Sequence, residues 1–139
     1  MVFGWNENGE KVIIDAHAQK FEGITLAYRD LDTLQLELRS LERMEFRGCS
    51  IKNASFIDSS LQRAIFTCCD LKGTDFSGCR LDKARFWWCH LEGCIFDGAD
   101  LSGVDFSCSH LDGIDFQKST YNEFTVFPSN IITKYQPFL

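Results

Sequence analysis

The feature that most constrains the fold of this chain is a five-residue repeat that runs through its middle. From position 41 to position 116, every fifth residue is apolar. Phenylalanine alternates with aliphatic residues without exception, and we call these residues the centres of the repeat. The centres are Leu41, Phe46, Ile51, Phe56, Leu61, Phe66, Leu71, Phe76, Leu81, Phe86, Leu91, Phe96, Leu101, Phe106, Leu111 and Phe116. A fixed short period of this kind predicts a repeat architecture.

Two other positions of the repeat are also restricted. The residue two before each centre is nearly always small, and Cys, Ala, Ser, Thr and Val fill this slot between positions 49 and 109. We expect it to point inward, where a large side chain has no room. The residue two after the centre is often glycine and suits a corner that needs a positive φ. These glycines are Gly48, Gly73, Gly78, Gly93, Gly98, Gly103 and Gly113.

A period of five excludes both regular elements for this segment. Five helical steps turn a side chain through about 140°, and five strand steps place it on the opposite face, so neither element could bury every centre. The conflict disappears if the chain turns a corner every five residues and points each centre toward one axis. The spacing therefore predicts a square solenoid.

The repeat also carries a recognisable motif. The segment Ala99-Asp100-Leu101-Ser102-Gly103 matches A-(D/N)-L-x-x, and residues 74–78 and 84–88 are close matches. On these residues the sequence resembles the pentapeptide-repeat proteins, over positions 40 to 121. The resemblance implies an all-β fold, a right-handed quadrilateral β-helix with about four to five coils and capping segments at both ends. It also implies that residues about 20 positions apart stack on neighbouring coils.

Four segments are expected from this frame. Residues 1–20 are predicted to form an N-terminal capping hairpin, with strands at 3–7 and 10–14 and a turn at Asn8-Gly9, a pair that suits a type I′ turn. Residues 21–40 form a degenerate first coil or a short helix. Residues 41–121 form the repeat, and residues 122–139 form a C-terminal cap or tail.

The two alternatives for residues 21–40 rest on different apolar residues. The five-residue frame continues backwards through Leu36, Leu31, Leu26 and Phe21, but its small slots then hold Leu34, Arg29 and Arg39. A helical stripe is formed instead by Leu31, Leu34, Leu38 and Leu41. We favour the degenerate coil, with the short helix as the alternative.

Charge and cysteine content limit the class of function. The chain has 14 Lys and Arg against 20 Asp and Glu, a net charge of -6, which argues against direct nucleic-acid binding. No apolar run approaches the roughly 18 residues of a membrane helix, so no membrane partner is expected. Seven cysteines, an odd count without an export signal, indicate reduced thiols and a cytoplasmic protein. Together with the family resemblance, we expect a protein of bacterial type.

Candidates for chemistry are few. With the coil length that the resemblance implies, Cys49, Cys69 and Cys89 form an inner column of thiols, and His90 and His110 stack outside. The column of thiols is better explained by cysteine filling a small apolar slot than by metal or redox chemistry. The two histidines lack an evident third ligand for a metal site. The sequence has no phosphate-binding loop and no insertion deep enough for a pocket. We therefore expect no catalytic residue, no cofactor, no metal and no enzyme activity.

Trp87 and Trp88 depart most from the repeat, because both occupy outward positions. Together with Ile65, Cys68 and Cys108 they are predicted to form an apolar patch that binds another protein or a second copy of the chain, giving a possible homodimer. The alternative is that the N-terminal segment of the same chain covers them. The predicted function is a rigid, non-catalytic interaction surface, whose natural partner the sequence does not identify.

A second surface supports an alternative function. Between Phe86 and Gln117 there is no Lys or Arg. Acidic residues concentrate there, at Asp97, Asp100, Asp105, Asp112 and Asp115. Such a rod resembles the gyrase-protecting, quinolone-resistance branch of the family, which implies a DNA mimic that binds a topoisomerase. The other interpretation is that Asp is the polar residue that the repeat prefers before its centre.

Overall fold

The computed structural model describes residues 2–5, 8–14 and 20–135. Its elements are β1 Val2–Trp5, β2 Lys11–Ile14, β3 Thr25–Ala27, β4 Glu45–Arg47, β5 Ile65–Thr67, β6 Arg85–Trp87 and α1 Ile132–Tyr135. The strands form one sheet in the order β2-β1-β3-β4-β5-β6. Within these residues, no helix is long and apolar enough to cross a membrane.

The strands from β3 to β6 pair in parallel with a register of 20 residues. Leu26 pairs with Phe46, Phe46 with Phe66, and Phe66 with Phe86. Isolated bridges on the other sides have the same offset, as in Asp30 with Ser50, Gln35 with Ser55 and Ser40 with Ser60. Each coil therefore consists of four five-residue sides, and the molecule is a β-solenoid. We call each five-residue side of one coil a rung.

The centres fill the axis of the solenoid, and each of the sixteen is buried. Because phenylalanine alternates with aliphatic residues, the rings lie on two opposite sides and form two columns. Rings within a column stack, with 4.8 Å between the centroids of Phe66 and Phe86. Rings of the two columns meet edge to face, as Phe76 and Phe86 do at 5.7 Å and 83°. Both are favourable aromatic geometries, so the core is held by packing along and across the axis.

The small slots also point inward, as predicted. Their polar atoms donate hydrogen bonds to carbonyl oxygens 23 residues earlier in the chain. Cys69 Sγ lies 3.3 Å from the Phe46 oxygen, and Ser109 Oγ lies 2.6 Å from the Phe86 oxygen. A small residue with one donor is therefore satisfied in this slot without a ligand.

The corner position, two after the centre, has a positive φ as predicted for all of the sixteen centres except Phe106 and Phe116, which are followed at that position by Cys108 and Lys118. The eight corner glycines from Gly23 to Gly113 have it, and so do ten residues that are not glycine. These ten are Tyr28, Thr33, Leu38, Arg43, Asn53, Asp58, Arg63, Cys68, Lys83 and Trp88. The corner is thus imposed by the fold at positions where the residue itself does not favour it.

Residues 20–40 run as a coil and contain no helix. Lys20 bridges Ser40, and Phe21, Leu26, Leu31 and Leu36 are buried in the core. Leu38, which a helical stripe would have buried, is 70% exposed. The large side chains in the small slots are accommodated at the edge of the core, where Leu34 and Arg29 are half-buried.

Segments beyond the repeat lie against both ends of the solenoid. Strands β1 and β2 form an antiparallel hairpin, and Trp5 of β1 pairs with Thr25 of β3. At the other end, the rings of Phe127 and Tyr135 each lie 5.2 Å from the ring of Phe116. Residues 1, 6–7 and 15–19 of the predicted N-terminal segment and residues 136–139 of the predicted tail lie outside the described residues.

Candidate interaction surface

The side of the solenoid built on β3 to β6 carries both predicted indoles, and we call its outward surface the tryptophan face. Each strand points its centre inward, so the residues immediately before and after the centre point outward. On β6 these residues are Arg85 and Trp87, and Trp88 follows at the corner. The parallel register places Ile65 and Thr67 on the rung before.

Trp88 is the most unusual residue of this face. Its side chain is 61% exposed, and its backbone has a φ of 55°. The left-handed conformation costs an L-residue about 1 to 2 kcal/mol relative to glycine. Glycine occupies six of the corners between positions 73 and 113. An indole that is mostly in water recovers little of this cost by packing. Tyr28 in the same corner column shares this φ and is more exposed, so what distinguishes Trp88 is its contact with a second indole, Trp87.

Trp87 is held more firmly beneath it. Its Nε1 donates a hydrogen bond to Asp105 Oδ2 at 3.2 Å, and the Arg85 guanidinium lies 5.1 Å from its ring centroid. Although burial opposes the shift, hydrogen bonds from the Ser107 amide and the Trp87 indole keep the pKa of Asp105 below its ordinary value. The two indoles meet at 6.4 Å and 61°. The Trp87 ring is thus held in place by its neighbours and contacts the exposed ring of Trp88.

The structure places the other predicted members of the patch at different points of the face. Cys68 and Cys108 are exposed and occupy the Trp88 corner column, one coil on either side. Ile65 is half-buried at the opposite edge of the face, in the same column as Arg85 and one rung before it. The hairpin joins the sheet at β3, three strands from β6, so its described residues do not cover the indoles.

Beside Ile65 lies a feature that the sequence analysis missed. Arg43, Arg63, Lys83 and Arg85 surround Ile65 in an open recess of about 520 Å³. In the described part of the chain, none of these four cations lies within ion-pair distance of a carboxylate. The first three follow one another at 20-residue intervals, a signal that was present in the sequence. We call this feature the basic recess.

The buried thiols are in an environment that makes them unreactive. Burial raises the pKa of Cys79 and of Cys94 to about 12, and contact with Cys69 together with burial raises the pKa of Cys49. These thiols stay neutral and poorly nucleophilic at physiological pH. His90 and His110 stack at 4.9 Å outside the core, with Glu92 Oε1 3.4 Å from His90 Nδ1. No group of three possible metal ligands gathers within the residues that the structure describes.

The five predicted acidic residues are spread around the rod. Asp97 and Asp115 share one side, whereas Asp100, Asp105 and Asp112 lie on the other three. Three of them close local turns, because the Oδ1 atoms of Asp100, Asp105 and Asp115 accept the amide of the residue two positions on. This Asx-type bond explains why aspartate is common before the centre.

Comparison with known proteins gives a consistent result. A family model described as "Pentapeptide repeat region" matches residues 39–116. A pentapeptide repeat protein, Rfr23 from the cyanobacterium Cyanothece 51142, aligns over 78% of this chain and 87% of its own, at 15% identity and a TM-score of 0.73. That structural likeness concerns the fold alone.

Two further solved structures are less similar. A pentapeptide repeat protein of the Arabidopsis thaliana thylakoid lumen aligns over 64% of this chain and 66% of its own, at 25% identity and a TM-score of 0.37. QnrB1, a plasmid-mediated fluoroquinolone resistance protein, aligns over 76% of this chain and 63% of its own, at 19% identity and a TM-score of 0.45. No curated protein sequence matches the chain.

Proposed function

The chain belongs to the pentapeptide-repeat family, and we propose that it is a rigid, non-catalytic protein-interaction module that binds its partner through the tryptophan face. In this proposal the solenoid is right-handed, has about four to five coils and is capped by the β1–β2 hairpin and by residues 122–139. Capping segments keep the terminal coils from pairing with other chains, which leaves a side face as the binding surface.

The pair that exposed Trp88 forms with Trp87 is the single observation that carries the proposal. A mostly exposed indole at a left-handed corner costs free energy in the isolated chain, and contact with a partner would recover that energy. Tryptophan is also the residue most enriched at binding hot spots, where a large ring surrounded by polar groups is buried on association. Trp87, fixed by Asp105 and Arg85, would keep the ring in place before binding and so lower the entropic cost.

The non-catalytic part of the proposal is supported by the state of the reactive groups. Cys79 and Cys94 are buried thiols with a raised pKa, and Asp100 and Asp115 accept turn hydrogen bonds. The recesses of the described surface are shallow and open, with corner side chains along their rims. An enzyme site needs a nucleophile or base that converges with its partners in a closed cleft.

The test compares the proteins that bind to immobilised wild type with those that bind to immobilised Trp88→Gly. Tyr28→Gly is the matched control. Glycine accepts a positive φ, so neither change strains the corner. Tyr28 occupies the same corner column, has the same φ of 55° and is 82% exposed, but it lies three coils away. We expect Trp88→Gly to keep its thermal stability and to lose the proteins that the immobilised wild type retains. Equal capture by the two proteins would contradict the proposal.

One observation favours a different function, that of a DNA-mimicking topoisomerase inhibitor. Residues 86–117 contain six Asp and Glu and no Lys or Arg. Against it, the five aspartates surround the rod instead of forming the two parallel rows of charge that a duplex presents. A gyrase supercoiling assay, with and without a quinolone, decides between them. Unchanged supercoiling at micromolar protein would remove this alternative.

A further inference from the structure

We propose that the partner of the tryptophan face is a second copy of this chain, docked antiparallel so that the basic recess of each copy lies against the Asp105 and Val126 rungs of the other. This inference rests on the proposed function, because it names the occupant of the same face. It commits to one arrangement, with a two-fold axis that crosses the face between the rung of β6 and the rung of Asp105.

Charge distribution along the rod is the first reason. Residues 39–85 contain nine Lys and Arg and six Asp and Glu, whereas residues 86–117 contain six Asp and Glu and no Lys or Arg. The tryptophan face crosses this boundary, so its two ends differ in charge. Two copies in parallel would place like charge on like charge. An antiparallel pair instead places Arg85, at the edge of each basic recess, against Asp105, which of the five predicted acidic residues is the one on this face, and this favours that orientation.

The rungs nearest the axis give the second reason. The backbone of Arg85 forms a parallel β-bridge with that of Asp105 on the next rung of the same face. An axis between these two rungs sets Arg85 of each copy opposite Asp105 of the other and forms two ion pairs. The same operation sets Trp88 opposite the partner's Cys108, whose small side chain leaves room for the indole. Both Trp88 rings would then be covered at once.

The outer rungs agree with the same axis. Val126 bridges Asp105 and so continues the column of Ile65, Arg85 and Asp105 by one rung. It is 43% exposed, although it belongs to the last described rung of this face. The axis sets Ile65 of one copy opposite Val126 of the other, an apolar pair at each end. The basic recess around Ile65 then lies beside the partner's terminal rungs.

The size of the face limits the affinity. The four rungs that this axis pairs, at a spacing of about 4.8 Å, make a strip roughly 15 to 20 Å long. A strip one side wide falls in the class of small interfaces, which form reversible complexes. We therefore expect a dissociation constant in the micromolar range, of the order of 1 to 100 µM.

Sedimentation of the purified protein tests self-association directly. Wild type and Tyr28→Gly should pass from monomer to dimer as concentration rises from about 1 to 500 µM. Trp88→Gly should weaken the dimer at least about tenfold, and raising the salt should weaken the wild-type dimer because ion pairs contribute. A wild type that stays monomeric throughout would overturn the inference. Capture of other proteins that depends on Trp88 would then still support the proposed function.

Disulfide trapping tests the antiparallel register. Ile65→Cys and Val126→Cys are combined in one chain in which Cys68 and Cys108 are replaced by serine. Three rungs, about 14 Å, separate the two new thiols within a copy, too far for an internal disulfide. Mild oxidation with oxidised glutathione should give a covalent dimer with the double variant and none with Ile65→Cys alone. A dimer in sedimentation that gives no such cross-link would overturn the antiparallel arrangement.

Discussion

Cysteine occupies two chemically different places in the repeat, although it is the same residue in both. In the small slot before a centre, five thiols are buried among the core side chains, and Cys79 and Cys94 have a pKa raised to about 12 by burial. At the corner, Cys68 and Cys108 are exposed to water. Position within the five residues therefore decides whether a thiol reacts.

We expect two of the seven thiols to react in the native protein. At pH 8, a thiol-disulfide reagent in excess should modify Cys68 and Cys108 quickly, and the other five only after denaturation, because a neutral buried thiol is a poor nucleophile. Absorbance of the released chromophore gives the count. A version with serine at both corners should give none. Rapid reaction of a third thiol would mean that the core opens readily.

Phe86 shows what a centre contributes to stability. Its ring contacts four others, those of Phe66, Phe76, Phe96 and Phe106, at centroid distances of 4.8 to 6.2 Å. Phe86→Ala should lower the free energy of unfolding by about 3 to 5 kcal/mol, measured by urea denaturation. Phe124→Ala is the matched control, because Phe124 is 69% exposed and its loss should cost little. Similar losses for both would show that ring stacking is not the source of stability.

The corner is the structural element that joins one side of the solenoid to the next, and the structure shows why it tolerates many residue types. From Gly23 to Lys83, the amide of each corner residue donates to a carbonyl of the following coil, as Arg63 does to Asp82 and Cys68 does to Trp87. These bonds hold the chain at positive φ. Stacking of coils thus overrides a local preference that would otherwise favour glycine.

Gly93→Ala isolates the backbone cost of a corner. Gly93 has a φ of 74°, and an added Cβ would meet only the Gly73 backbone at 3.8 to 3.9 Å, an ordinary contact. The substitution should therefore destabilise the protein by about 1 kcal/mol, from the left-handed conformation alone. Thermal and urea unfolding measure the change. Ser102→Ala, one residue after a centre, is the control with no such cost, and a gain in stability at Gly93 would contradict this account.

The course of the chain was largely predictable at the level of elements, because the centres and small slots are properties of single positions. The five-residue period required a corner, and the alternation of Phe46 and Ile51 placed rings on opposite sides. Residues 21–40 were ambiguous, since Leu34 and Arg29 are too large for the small slots of a coil, whereas Leu34 also fits the helical stripe. The helical stripe failed because Leu38 lies at a corner, where coil-to-coil hydrogen bonds fix the backbone.

The whole molecule is a stack in which each coil contacts only its neighbours, so its surface depends on which columns come together. Trp87 and Trp88 were recognisable as outward residues from sequence. The contacts of Trp87 with Asp105 and Arg85 were not, because they depend on side-chain conformations. The basic recess was missed although Arg43, Arg63 and Lys83 form one column, because Ile65 and Arg85, which complete the recess, belong to the adjoining side.

A stack of this kind should lose stability locally when an end is damaged. Phe127 is buried, and its ring lies 5.2 to 5.9 Å from those of Phe116, Tyr121, Tyr135 and Phe106. Because solenoid stability is close to a sum of terms between neighbouring coils, Phe127→Ala should open the last coil without unfolding the first.

Hydrogen exchange by mass spectrometry can locate that opening. Two amides donate to carbonyl oxygens of the last coil: the Leu101 amide donates to the Thr120 oxygen, and the Phe106 amide donates to the Val126 oxygen. In Phe127→Ala both amides should exchange at least about tenfold faster. The Leu31 amide, which donates to Ser50 near the other end, should keep its protection. Phe124→Ala, three residues earlier and on the surface, should change neither. Equal loss of protection at both ends would mean that the coils unfold as one cooperative unit, because damage at one end would then be felt along the entire axis.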